Sequence, residues 1–148
     1  MSTLLVFRSP RKGDAEAIAA RLGPETLASM RVVHQAPVKL VAHSLEASTE
    51  AWVAVDDGNP ICAWGYRSEG VIGLTAFAWC SATPAVARHK RLMWVENKRY
   101  VAQLRERFPR IEAFCHADFA VSQRWLRRLG FTLYEPRNDF PFYPAVLE

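Results

Sequence analysis

Long hydrophobic runs are missing from this chain of 148 residues. The apolar N-terminal stretch Leu4-Leu5-Val6-Phe7 is far too short for a signal peptide or a membrane span. No membrane partner is therefore expected. Cysteine is scarce: Cys62, Cys80 and Cys115 are odd in number and scattered through apolar, strand-like surroundings. That pattern points to buried thiols in a reducing cytoplasm and against a disulfide framework. The spacing of His, Cys, Asp and Glu matches no metal site. Neither a G-x-S-x-G elbow, a P-loop nor a dinucleotide fingerprint occurs. No linker, repeat or low-complexity tract divides the chain, which reads as a single domain over 1–148. A composition that is 50% hydrophobic and 23% charged is globular and not disordered.

What is present is an uneven charge. The chain carries a net +4, yet residues 84–128 hold eleven of the nineteen Lys and Arg against four acids. That segment is +7 and the remainder is −3. A solvated helix face accounts for such a pattern; so does a phosphate-bearing cofactor, an acidic protein partner or nucleic acid. Nucleic acid is the least supported, because no pattern of surface aromatics for stacking bases accompanies the charge.

The periodicity predicts a first strand over 3–8, a helix over 14–22 with Ile18 and Leu22 on its buried face, and a further helical turn or two over 25–31. The run 38–45 is ambiguous between strand and helix. Residues 51–55 and 61–66 read as strands, joined by the hairpin turn Asp56-Asp57-Gly58-Asn59-Pro60. A turn at Ser68-Glu69-Gly70 leads into an apolar strand over 71–80, completing an antiparallel meander. Thr83 is the expected N-cap and Pro84 the first residue of a long basic helix running to Phe108. The pattern then gives a strand over 111–115, a short helix capped by Asp118 and closed by Gly130, a strand over 131–134 and an edge strand over 140–146. A strand aimed at a helix N-terminus, with Arg88, His89, Lys90 and Arg91 in its opening turns, is an anion site by construction: free N–H groups and the helix dipole favour phosphate.

This order of elements resembles the GCN5-related N-acetyltransferases (GNAT). The ending Trp125-Leu126-Arg127-Arg128-Leu129-Gly130-Phe131 is similar to the signature of that family's last helix. Ser48-x-x-x-Trp52, Asp57-Gly58-Asn59-Pro60, Ala63-Trp64-Gly65, Trp79 before Thr83, and the Arg88–Arg91 cluster resemble the GNAT-like proteins of tailed phages, including internal virion or acetyltransferase-type proteins of T7-like phages. The resemblance spans about residues 48–134. It implies an α/β (α+β) acyl-CoA N-acyltransferase fold, with a mixed, mostly antiparallel central sheet flanked by helices.

The resemblance further implies acetyl-CoA as cofactor, its pantetheine arm along Trp79, Cys80 and Ser81 and its pyrophosphate at Val86, Ala87, Arg88, His89 and Lys90. An amine, on a host macromolecule or a small molecule, is the implied acceptor. His116, at the end of its strand, is the candidate base. Cys115 is not its partner, because consecutive strand residues point to opposite faces. The loop Thr83-Pro84-Ala85-Val86-Ala87-Arg88 has no glycine, and the position of the family's tyrosine acid is Leu126. These two departures imply an alternative: a catalytically degenerate scaffold that binds a host protein or rides in the virion, with Arg124, Arg127 and Arg128 as partner-binding candidates.

Overall fold

A computed structural model describes residues 5–32, 34–68, 74–136 and 141–148. Among the described residues the strands form a mixed, mostly antiparallel sheet of seven, flanked by helices, in the order β1 (Leu5–Arg8), β2 (Glu50–Asp56), β3 (Asn59–Ser68), β4 (Thr75–Ala82), β5 (Arg110–His116), β7 (Phe142–Leu147), β6 (Thr132–Leu133). The chain groups into two compact units, Met1–Arg67 with Trp79–Lys90, and Ser68–Ala78 with Arg91–Glu148. The proposed turn at Glu69-Gly70, the opening of the next strand at 71–73, and residues 3, 4 and 140 lie outside the described residues.

The first unit contains β1 (Leu5–Arg8), α1 (Asp14–Ala19), α2 (Pro24–Val32), α3 (Pro37–Ala47), β2 (Glu50–Asp56), β3 (Asn59–Ser68, to Arg67) and the end of β4 (Thr75–Ala82). The ambiguous run 38–45 is a helix. Pro37 sits in its first turn, where the missing N–H costs nothing. Val41, fully buried, and Leu45 one turn on face the same cluster. That cluster joins Ala15, Ile18, Leu22 and Met30 of the helical segment to Val53, Val55 and Ala63 of the strands. Val53 stands opposite Ala63 and Ala54 opposite Cys62, so alternation sends Cys62 and Trp64 to the other face. There the Trp64 ring meets Phe7 edge-on at 5.6 Å. The β2–β3 turn is Asp57-Gly58, with φ of 49° and 82°. Two consecutive positive φ values make the tight hairpin geometry that Asp-Gly favours.

The second unit contains most of α4 (Lys90–Arg107), then β5 (Arg110–His116), α5 (Ala120–Leu129), β6 (Thr132–Leu133) and β7 (Phe142–Leu147). Met93, Tyr100 and Leu104 form the buried stripe of α4. β7 is not the edge strand the sequence suggested. It lies between β5 and β6, pairing with β5 over six residues, including Phe114 opposite Pro144. The proline is tolerated because the Pro144 carbonyl accepts from Tyr134 N–H at 2.8 Å. That side of the residue faces β6, so its missing N–H takes nothing from the β5 ladder.

Asp118 is not the cap of α5. Phe119 holds that position, without a side-chain cap bond. Gln123 Nε2 instead donates to the Ala117 carbonyl at 2.8 Å. At the other end Gly130 has φ 106° and donates to Arg127 O, while Phe131 N–H donates to Leu126 O, both at 3.0 Å. This double bond pattern requires the left-handed region. Gly130→Ala is expected to cost about 1–2 kcal/mol in denaturant unfolding, the penalty for a β-carbon in the left-handed region, and an unchanged midpoint would show that this C-terminal cap is dispensable. Among the described residues, no helix is long and apolar enough to cross a membrane.

Candidate functional site

The end of β4 and the segment after it are fixed by buried polar contacts within the first unit. Trp79 is half-buried, packs on the helical cluster, and donates its indole N–H to Ser48 Oγ at 2.6 Å. Ser48 in turn donates to the Ser44 carbonyl at 2.6 Å. One residue on, alternation turns Cys80 to the exposed face, against the expectation of a buried thiol. Ser81 is buried, and the Ala82 carbonyl accepts from Gly23 N–H at 3.3 Å.

Thr83 occupies the cap position but does not cap through its side chain. Its hydroxyl and its N–H both donate to the Ile61 carbonyl, at 2.8 Å and 2.9 Å. The threonine therefore ties the strand end to β3. The next residues, Pro84–His89, wind as a 3₁₀ helix, and α geometry begins only at Lys90. Val86 N–H closes the first turn onto the Thr83 carbonyl at 3.2 Å.

His89 is buried, its Nε2 3.0 Å from Asp56 Oδ2, although off the line of a hydrogen bond. Its imidazole thus faces β2 and Asp56. A role toward a ligand falls to its backbone. Ala87, Arg88, Lys90 and Arg91 are exposed, and Arg88 stands in the last turn of the 3₁₀ helix, not at its start. Asp56 and Ser48 were not foreseen as site supports; they lie 33 and 31 residues from the groups they meet, beyond any local pattern.

His116 closes β5 in the second unit. Its Nδ1 accepts from Asp118 N–H at 3.2 Å, which leaves Nε2 to carry the proton of the neutral ring. Phe119 and Phe142 flank it at 4.7 Å and 5.3 Å. The Cys115 thiol is buried and directed to the His116 carbonyl at 3.7 Å, away from the imidazole. On α5, Arg124, Arg127 and Arg128 are exposed. Arg128 is engaged within the chain, its guanidinium 4.5 Å from the Trp94 ring, and Trp94 meets Trp125 edge-on at 4.9 Å. Leu126 is half-buried and contributes its carbonyl to the helix end. Among the described residues, no group of three His, Cys, Asp or Glu is placed to hold a metal.

By sequence, the chain matches no protein-family model and no curated protein. By structure it is similar to the GNAT domain of S. lividans PAT, at a TM-score of 0.71 and 16% identity over 98% of this chain and 96% of that one. It is similar to a GNAT-family acetyltransferase from Bacillus anthracis, at 0.65 and 12% over 99% and 96%. RimL, a ribosomal L7/L12 α-N-protein acetyltransferase solved with coenzyme A, gives 0.64 and 14% over 99% and 94%. The fold is that of the GNAT acetyltransferases.

Proposed function

We propose that this chain is an N-acetyltransferase that takes acetyl-CoA as donor and an amine as acceptor. The observation that carries the reading is the β4 end running through buried Thr83 into a cationic helical segment, in a chain with the GNAT fold. Solved relatives of this fold are described with coenzyme A bound.

The residues present fit such a cofactor. Exposed Arg88 and Lys90 offer point charges to phosphate. The strand end Trp79–Ser81 would hold the pantetheine arm through its backbone. Bound acetyl-CoA supplies the activated acetyl thioester. His116 is the candidate for proton handling as a donor from Nε2, and not as the base the sequence suggested, because Asp118 N–H takes the lone pair of Nδ1; His116→Ala in a thiol-release assay tests the role. The host acceptor and the cytoplasmic site of action that follow from the phage resemblance belong to this proposal.

Charge reversal provides the test. Arg88→Glu with Lys90→Glu should raise the Kd for acetyl-CoA about tenfold or more at low salt, with thermal stability unchanged because both side chains are exposed. Unchanged affinity would remove the phosphate site from this segment. A second reading, a binding scaffold without catalysis, is favoured by Leu126, which brings no proton-donating side chain to α5. In that case amine-dependent thiol release would be absent while a partner is still bound through Arg124 and Arg127.

A further inference from the structure

Two of the three cysteines meet. Cys62 on β3 and Cys80 on β4 have their sulfurs 3.6 Å apart. They differ in access: Cys62 is 1% exposed, whereas Cys80 is open to solvent. Cys115 lies in the other unit, buried.

We propose that Cys62 and Cys80 form a two-thiol modification site for small-molecule disulfides, in which Cys80 attacks and Cys62 resolves. Cys80 is the residue of the pair that borders solvent and so the one a soluble disulfide meets, and the buried Cys62 thiol already in contact is the one placed to displace the adduct. The contact between the two sulfurs supports the division of labour. It holds the Cys62 thiol well above its ordinary value, with burial adding to the rise, and it draws the Cys80 thiol down against the opposing effect of burial. The thiolate, not the thiol, is the nucleophile.

With glutathione disulfide the steps balance. The Cys80 thiolate attacks one sulfur of the reagent, its S–S bond breaks, and one glutathione leaves as thiolate and takes up the proton that Cys80 lost. Cys62 then loses its proton and attacks Cys80 Sγ. A Cys62–Cys80 bond forms and the second glutathione leaves as thiol. Two protein thiols are oxidised and one reagent disulfide is reduced. The sulfurs must close from 3.6 Å to the roughly 2 Å of a disulfide.

The test is exposure of the full chain to glutathione disulfide, read by intact mass and by mapping of cross-linked peptides. The wild-type chain is expected to lose two hydrogens, reversibly with dithiothreitol, and to give a Cys62–Cys80 peptide. Cys62→Ser should retain one glutathione on Cys80, and Cys80→Ser should remain unmodified. A wild-type chain that stays reduced, keeps a stable glutathione adduct, or cross-links through Cys115 would overturn the proposal, and that arm needs no variant to fold. No cofactor enters the measurement, so its outcome is separate from that of the acetyl-CoA reading.

Discussion

Asp14→Asn is expected to lower the unfolding free energy by about 2–3 kcal/mol, below the 3–5 typical of a fully buried pair because solvent relieves part of the loss. Asp14 is buried at the start of α1, where Arg8 grips both carboxylate oxygens at 2.8 Å and 2.9 Å and Arg11 N–H donates at 2.6 Å. Asparagine keeps the shape and leaves the Arg8 guanidinium, whose side chain is 18% exposed, without its counter-charge. Burial pushes the Asp14 carboxyl up, but the bonds from Arg8 and Arg11 and their charge outweigh it, so the group titrates below its usual 3.8. A depressed folded pKa gives stability that is present above the unfolded value and lost as the pH falls through the folded one. Wild-type stability should therefore drop below about pH 4 by an increment that Asp14→Asn lacks. Parallel acid profiles for the two chains, measured by urea unfolding, would contradict this assignment.

Gly65→Ala is expected to cost about 3 kcal/mol, the upper end for forcing a methyl group into a packed site. A β-carbon at Gly65 would stand 2.5 Å from the Glu50 carbonyl oxygen, 3.1 Å from Ala51 Cα and 3.0 Å from Trp79 Nε1. Two of these neighbours are backbone of the paired strand, in which Ala51 lies opposite Gly65. The third is an indole tethered to Ser48, so no flexible side-chain end is available to yield. Relief requires β2 to move or Trp79 to leave Ser48, and the second change releases the end of β4 from its tether. Guanidinium unfolding reads the stability. A loss below about 0.5 kcal/mol, the level of an ordinary surface substitution, would show that the strands adapt.

What could be read in advance was local. Asp57-Gly58 announced its hairpin because two positive φ values are chemically restricted, and Gly130 announced a helix end for the same reason. The order of strands and helices followed from periodicity. Distant contacts decided the rest. The run 38–45 carries too few apolar positions to choose a period, and burial of Val41 and Leu45 against α1 and the strands made the choice. Thr83 reads as a cap, but the Ile61 carbonyl, 22 residues away, claims its hydroxyl. β7 reads as an edge because of its prolines, yet Pro144 turns its missing N–H away from β5. The candidate site was legible as a basic helix start after a strand; its 3₁₀ winding and the burial of His89 on Asp56 were not, since both depend on partners from β2 and β3.

Calorimetric titration of the intact chain with acetyl-CoA tests the central claim most directly. The expected result is saturable one-to-one binding that weakens as salt is raised, since exposed cations meet phosphate. Absence of saturable heat up to millimolar ligand would contradict it.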